Sequence, residues 1–248
     1  MSGLSRTVAG IRASTRSFVR EPFTIGFLVV LPALSIQIYG VSMGQFPDVG
    51  LFETAGSAAT TGRITGAVFA SGALAGVLGL FQMISARNAD RRLAICGFRG
   101  IELVVARFAT VAVASALVGI VATVSLVALL DRAVGAPLAA FAGLLLAGAI
   151  YGQLGLVVGS VLPRELEGSL LLVIVADVDN VFASGLFAVE ESVTRFAPLT
   201  HPHAIVTEAV VDGSLATGHL APAVGHLGLF TFLGIATYTY RVESGGGV

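Results

Sequence analysis

Five long runs of the sequence contain no charged residue, and this feature restricts the fold more than any other. They cover 22–47, 64–86, 108–130, 133–163 and 213–240. A helix needs roughly 20 apolar residues to cross the hydrocarbon core of a bilayer, and every run is long enough. Backbone groups in lipid must be hydrogen-bonded within the protein, and the strand-length alternation of a barrel is absent. The runs therefore predict membrane-spanning helices.

The composition supports this interpretation. Of the 248 residues, 55% are hydrophobic and only 12% are charged, whereas an ordinary soluble domain is about 25% charged. So little charge excludes a disordered chain, a nucleic-acid-binding protein and a typical water-soluble enzyme. The single cysteine, Cys96, excludes an internal disulfide and a metal cluster built from cysteines.

A sixth stretch, 168–189, has the length and the apolar flanks of a span, although it carries polar residues near its middle. With it, the sequence predicts an all-α polytopic membrane protein whose single transmembrane domain, 22–248, contains six helices. The predicted spans are 23–43, 64–86, 101–130, 137–162, 168–189 and 220–240.

The arginines predict the orientation, since all 14 basic residues are arginine. If the N-terminus is cytoplasmic, only Arg63, Arg132 and Arg195 lie in outer segments, and the other arginines lie on the cytoplasmic side. This bias follows the positive-inside rule. An even number of spans returns the C-terminus to the cytoplasm. We therefore expect a multi-pass protein of the cell membrane with both termini inside.

Residues 1–21 are predicted to form a basic amphipathic helix before the first span. One face carries Leu4, Val8, Ile11, Thr15 and Phe18, and the neighbouring face carries Arg12, Arg16 and Arg20. Such a helix lies along the inner membrane surface with its arginines at the lipid phosphates. The alternative is a basic tail that serves only to orient the chain.

Charged and apolar residues are mixed in 85–100, between the second and third predicted spans. The charged residues are Arg87, Asp90, Arg91, Arg92 and Arg99, and the apolar ones are Leu93, Ile95 and Phe98. A loop that serves only topology needs arginines but no apolar set, so the mixture predicts a short cytoplasmic helix that docks onto another protein. The alternative is an extension of the second span with ordinary cytoplasmic charges.

The pattern Arg87-x-x-Asp-Arg-Arg-Leu-x-x-x-Gly-x-Arg99 follows the second span. Together with the arginine-rich lead-in, the six spans and the proline-containing segment before the last span, it resembles the ABC-2 type permeases. These are the membrane subunits of ATP-binding-cassette transporters, and the resemblance covers nearly the whole chain. It implies a path formed with a second permease copy or a paralogue, driven by separate ATPase subunits, with export as the expected direction.

The resemblance also implies that 87–100 is the coupling helix that contacts the ATPase. The expected contact residues are Arg87, Asp90, Arg91, Arg92, Leu93, Phe98 and Arg99. A phosphate-binding loop requires a lysine, and the chain contains none. We therefore expect ATP and magnesium on the partner subunit, and neither a cofactor nor a catalytic residue in this chain.

Glycines recur at helical spacing on two of the predicted spans. They are Gly72, Gly76 and Gly79 on the second span, and Gly148, Gly152, Gly155 and Gly159 on the fourth. Faces of small residues let helix backbones approach closely, so these glycines predict close packing within the chain. The alternative is a surface for a dimer or for a substrate path.

The polar residues of the sixth stretch are Asp177, Asp179 and Asn180. An ionised carboxylate within a bilayer costs several kcal/mol unless it faces a cavity, has a partner or is protonated. Asp177 and Asn180 share a helix face, whereas Asp179 points elsewhere. The residues predict a polar lining of a substrate or proton route; the alternative is a helix break near Asp177 with hydrated polar groups.

The outer segment 190–219 contains His201, His203 and Glu208, which could be read as metal ligands. Prolines interrupt it, the His-Glu-x-x-His motif is missing and His226 is expected to be isolated in the last span, so no metal site is predicted. Two further functions stay open. One is an ion-coupled secondary transporter with Asp177 and Asp179 as proton acceptors. The other is an intramembrane enzyme that uses these acids and the histidines around a metal.

Overall fold

The computed structural model of the chain describes residues 22–45, 57–97, 100–185 and 194–243. Within these residues the chain forms helices and no strand. The helices are α1 (Pro22–Gly44), α2 (Ala58–Ile95), α3 (Gly100–Leu129), α4 (Pro137–Val161), α5 (Glu165–Ala183), α6 (Thr200–Val211) and α7 (Thr217–Glu243). The amphipathic helix predicted for 1–21 lies outside the described residues.

Five of these helices contain a stretch long and apolar enough to cross a membrane. The stretches are Gly26–Gly44, Ala58–Arg87, Leu103–Leu129, Pro137–Val161 and Thr217–Tyr240. The predicted all-α fold is therefore confirmed for the described residues, and the five helices indicate a membrane-embedded protein. The orientation stays a prediction from the arginine distribution.

The sixth predicted span, 168–189, corresponds to α5, which is not among these five. α5 has 19 residues, or about 28 Å of helix at 1.5 Å per residue, so its length alone does not set it apart. What distinguishes it is charge, since four carboxylates lie along it: Glu165, Glu167, Asp177 and Asp179. The helix continues through Asp177, so the alternative of a break at that residue is wrong.

α2 is longer than the predicted second span. It begins at Ala58 and continues to Ile95, so 87–95 extends the span and the prediction of a separate short helix there is wrong. The physical reason is that this part of the sequence contains neither glycine nor proline. The helix ends only before Gly97, whose φ of 85° lies in the left-handed region that glycine adopts readily.

α2 and α4 form the centre of the bundle. α2 packs against α1, α3, α4, α5 and α6, and α4 packs against α2, α3, α5, α6 and α7. Within the apolar stretch of α2, 78% of the residues are buried, compared with 11% for α7. α7 therefore presents most of its apolar surface outward.

Glycines allow α2 and α4 to approach closely. A Cβ atom at Gly79 would meet the carbonyl oxygen of Gly152, and one at Gly155 would meet that of Gly76. A Cβ atom at Gly159 would lie 2.8 Å from the Cβ of Met83. The other glycines singled out in the sequence also face neighbouring helices, namely Gly72, Gly76, Gly148 and Gly152. A larger residue would push these helices apart.

Candidate functional site

Five buried polar side chains lie between α2, α4, α5 and α6, and we call them the central polar cluster. They are Thr65 of α2, Tyr151 of α4, Asp179 and Asn180 of α5, and His203 of α6. None exposes more than 6% of its surface. The surrounding core is apolar, so each polar atom depends on the others or on nearby backbone for hydrogen bonds.

The two carboxylate oxygens of Asp179 have different surroundings. Oδ2 accepts hydrogen bonds from the Tyr151 hydroxyl at 2.6 Å and from the Leu199 backbone N–H at 3.1 Å. Leu199 is the residue that precedes the first turn of α6, so the carboxylate lies at the positive end of that helix. Oδ1 is buried and has no hydrogen-bond partner.

Only one of the two polar atoms of the Asn180 side chain has a hydrogen-bond partner. Its Nδ2 donates to the backbone carbonyl of Thr65 at 3.1 Å, which ties α5 to α2. Its Oδ1 is buried without a hydrogen-bond partner. Asp179 and Asn180 therefore place two unpartnered acceptor oxygens in the core.

The hydrogen bonds of His203 are compatible with a neutral ring that carries its proton on Nε2. The Thr65 hydroxyl donates to the Thr61 carbonyl at 2.8 Å, so it can only accept from His203 Nε2, at 3.2 Å. In a neutral ring, His203 Nδ1 then accepts from the Thr207 hydroxyl at 3.3 Å. Burial lowers the pKa of His203 to about 4, in agreement with a ring that carries one proton.

Asp177 lies apart from the central polar cluster. It is half-buried and accepts a hydrogen bond from the Tyr39 hydroxyl of α1. Asp177 thus contacts α1, Asn180 contacts α2, and Asp179 contacts α4 and the start of α6. The three side chains therefore bind to different helices. The substrate or proton route that they are expected to line stays a prediction.

A second polar cluster, which we call the arginine cluster, joins the C-terminal part of α2 to three other helices. It comprises Arg87 and Asp90 of α2, Arg107 of α3 and Tyr238 of α7. Asp90 accepts from Arg107 Nη2 at 2.7 Å and Nε at 3.3 Å, and from the Tyr238 hydroxyl at 3.2 Å. The side chains of Arg107 and Asp90 are 12% and 10% exposed, so this is a nearly buried ion pair.

Arg87 binds the end of α4. Its Nη2 donates to the carbonyl oxygens of Gly159 at 2.5 Å and Leu162 at 2.6 Å. The last carbonyls of a helix have no partner within the helix, and a cation there also interacts favourably with the helix dipole. The arginine cluster therefore connects α2, α3, α4 and α7.

The residues expected to contact an ATPase fall into different environments. Arg87 and Asp90 make contacts within the chain, whereas Arg92 is exposed. Leu93 packs against apolar side chains that include Leu103 and Met83. Phe98 and Arg99 lie outside the described residues, as does the side chain of Arg91. The contact with an ATPase stays a prediction.

Sequence reasoning missed Thr65, Tyr151, Arg107 and Tyr238 as members of polar clusters. The tyrosines carry a usable signal, because a hydroxyl within an apolar span needs a hydrogen-bond partner. Thr65 carries none, since a helical threonine can satisfy its hydroxyl on the preceding turn. Arg107 is indistinguishable in the sequence from an arginine that only orients the chain.

Three histidines meet where α6 packs against α7. The Nδ1 atoms of His201 and His219 are 3.0 Å apart, and the ring of His226 stacks on His201 with a centroid distance of 5.6 Å. The expectation that His226 is isolated is wrong, because His219 and His226 are two helical turns apart and share a face. In the described ranges, no three His, Cys, Asp or Glu side chains are arranged to hold a metal ion.

No protein-family model matches the sequence, and no curated protein is significantly similar to it. The central polar cluster and the arginine cluster are therefore the basis for a functional proposal.

Proposed function

We propose that the chain is the permease subunit of an ABC-2 type transporter in the cell membrane, with six spans and cytoplasmic termini. It forms part of a path through the bilayer, moves its substrate outward and takes its driving force from a separate ATPase that docks on 87–100. The observation that carries the proposal is the arginine cluster, which ties the polar extension of α2 to three other helices.

The arginine cluster gives the extension of α2 the connections that a force-transmitting element needs. α2 is one continuous helix from Ala58 to Ile95, so displacement of its end moves the whole helix. Arg87 holds the end of α4, and Asp90 holds α3 and α7 through Arg107 and Tyr238. A partner that pushes on the extension would therefore move four helices as a unit, as a rocking transport mechanism requires.

Charge identifies the kind of surface that the partner presents. Arg92 is exposed at the end of α2, and Arg91 and Arg99 belong to the same basic segment. We therefore expect an acidic docking surface on the ATPase, since complementary charges steer association and fix its register. ATP and magnesium would be bound by that subunit, because the lysine of a phosphate-binding loop is missing from this sequence.

A second copy or a paralogue would complete the path. α1 and α7 supply the surface for this contact and for lipid, since only 33% and 11% of the residues in their apolar stretches are buried. Faces this exposed and apolar are typical of helices that meet lipid or another subunit.

Charge reversal at the end of α2 tests the proposal. The variant Arg91→Glu/Arg92→Glu, expressed with an affinity tag in the native host, should lose the co-purified ATPase, with ATP hydrolysis down by about tenfold or more. Arg164→Glu is the control, because Arg164 is exposed and is expected on the same side of the membrane. Its side chain donates a hydrogen bond to the nearby Glu167. The control should keep wild-type yield and hydrolysis within about twofold.

Two results would contradict the proposal. One is wild-type yield and hydrolysis in the doubly reversed variant. The other is transport or ATP hydrolysis by the purified chain free of all other subunits. An ion-coupled carrier would transport alone and fail in Asp177→Asn, so the same preparation distinguishes it from a permease subunit.

A further inference from the structure

We propose that Asp179 is a proton-binding site, with an exchangeable proton on Oδ1 in the conformation described above. The ligand is a single proton, and the site links α5 to the start of α6. This inference goes beyond the proposed transport function and does not depend on an ATPase partner.

The hydrogen bonds of Asp179 fit a carboxylic acid that carries its proton on Oδ1. A neutral acid has one carbonyl oxygen that accepts and one hydroxyl oxygen that donates. Oδ2 accepts from Tyr151 and from Leu199, whereas the buried Oδ1 receives no donor. Oδ2 therefore fits the carbonyl oxygen, and Oδ1 is the atom left for the proton.

A second unpartnered acceptor belongs to the residue next to Asp179. Asn180 Oδ1, on the adjacent residue, is also a buried acceptor without a partner, and the Asn180 side chain is completely buried. An unpaired buried acceptor is costly, and the cost is larger for a charged oxygen than for a neutral one, so a proton on Asp179 is favoured.

The charged and titratable groups on the helices around α5 are engaged elsewhere. In the described part of the chain, no arginine forms an ion pair with Asp179, because Arg63 pairs with Asp131 and Arg107 with Asp90. α4 contains no charged residue at all. On α6, His203 is neutral within its hydrogen bonds, Glu208 accepts from Ser214, and His201 faces His219 and His226. On α5 itself, Asp177 accepts from Tyr39.

An ionised Asp179 would thus be a buried negative charge without a counter-ion. Such a charge is strongly unfavourable in an apolar interior, and a carboxyl group avoids the penalty by taking up a proton. Tyr151 and the N-terminus of α6 act in the opposite direction, since both donate to the ionised form. Opposed effects of this kind make the proton exchangeable.

Proton binding is also coupled to the position of α6. The Leu199 N–H favours the ionised carboxylate, so moving α6 away from Asp179 strengthens proton binding. By thermodynamic reciprocity, a bound proton weakens the contact between Asp179 and α6 by the same factor. Protonation of Asp179 would thus loosen the start of α6.

Infrared spectroscopy of the full chain in dodecyl maltoside, a detergent without a carbonyl group, tests the proposal. At neutral pH the wild type should show the carbonyl stretch of a buried, protonated carboxylic acid, and Asp179→Asn should lack it. Asp90→Asn is the matched control, because Asp90 is also buried but pairs with Arg107. The control should keep the acid band and lose ionised-carboxylate absorption.

Tyr151→Phe keeps the proposal testable if Asp179→Asn does not fold. This variant retains the acid and removes a donor to its ionised form. The acid band should therefore persist to higher pH, with its midpoint raised by about one pH unit.

Three results would overturn the proposal. The first is a wild-type protein without a protonated acid band at neutral pH. The second is an unchanged band in Asp179→Asn. The third is loss of the band when sodium chloride replaces choline chloride at constant pH, which would mean that Asp179 binds a metal cation in place of a proton.

Discussion

Among the residues that the structure describes, two aspartates are buried, and their surroundings are opposite. Asp90 receives donors on both oxygens and pairs with the guanidinium of Arg107. Asp179 receives two neutral donors on one oxygen and none on the other. The difference shows that burial alone does not define the role of a membrane carboxylate. A paired acid fixes helices together, whereas an unpaired acid is free to change its protonation state.

The two clusters are also connected. Asp90 is near the C-terminal end of α2 and Thr65 near its beginning, and between them the glycine contacts bring α2 directly against α4. Tyr151 belongs to the same part of α4 and reaches Asp179. α2 and α4 therefore form a closely packed connection between the arginine cluster and the central polar cluster.

Removing one partner of the buried ion pair should have the largest effect on stability. Arg107→Leu leaves Asp90 as an uncompensated buried charge, which costs about 3–5 kcal/mol of unfolding free energy. The double variant Arg107→Leu/Asp90→Leu should recover most of this loss, and Arg92→Leu, at an exposed site, should change stability by less than about 0.5 kcal/mol. Denaturant-induced unfolding in detergent measures the unfolding free energies of all three variants. Equal losses in the single and double variants would mean that Asp90 is not held by charge pairing.

Acid should destabilise the central polar cluster through His203. Its pKa is 6.5 in the unfolded chain and about 4 in the fold, so the unfolded chain binds a proton that the folded chain does not. His203 therefore does not lower stability above pH 6.5, and it lowers the free energy of unfolding progressively as the pH falls from 6.5 towards 4. The full decrease in unfolding free energy is about 3 kcal/mol.

His203→Gln is the variant that isolates this effect. Burial and the neighbours His219 and His226 also lower the pKa of His201, so the wild type loses stability in acid from more than one histidine. The difference in unfolding free energy between wild type and His203→Gln should shrink as the pH is lowered. A difference that stays constant from neutral to acid pH would contradict a neutral, buried His203.

The helix bounds could be predicted closely from the sequence for three of the six predicted spans. α1, α3 and α4 begin and end within one residue of the predicted bounds. The extension of α2 was predicted wrongly as a separate helix, since the residue pattern of 87–95 fits both structures. The absence of glycine and proline from 87–95 is the feature of the sequence that predicts an uninterrupted helix.

The polar clusters could be predicted only in part. Asp177, Asp179 and Asn180 stand out because they interrupt an apolar stretch, but their partners come from four other helices. Helix periodicity places Asp179 on its own face and says nothing about which helix that face meets. The pairing of Asp90 with Arg107 depends equally on how α2 and α3 lie beside each other.

A methyl group between α2 and α4 should disturb the connection between the clusters. In Gly155→Ala the new Cβ would meet the carbonyl oxygen of Gly76 and lie 3.0 Å from the backbone nitrogen of Leu80. Such overpacking costs about 1–3 kcal/mol. Gly228→Ala on α7 is the control, because nothing lies within 4 Å of its Cβ position. If both variants were equally stable in thermal unfolding, the close approach of α2 and α4 would not matter energetically.

The smallest effect should come from the two tyrosines, and it tests whether the two aspartates differ in protonation state. Tyr151→Phe and Tyr238→Phe each remove one hydroxyl donor to a buried carboxyl group, at a cost of about 1 kcal/mol near neutral pH. For Tyr151→Phe the cost should grow in alkali, because an ionised Asp179 loses a stronger, charge-assisted bond. For Tyr238→Phe the cost should not change, since Asp90 is paired with Arg107. Unfolding free energies measured at neutral and alkaline pH distinguish the two, and the same pH dependence at both sites would mean that the two acids are in the same protonation state.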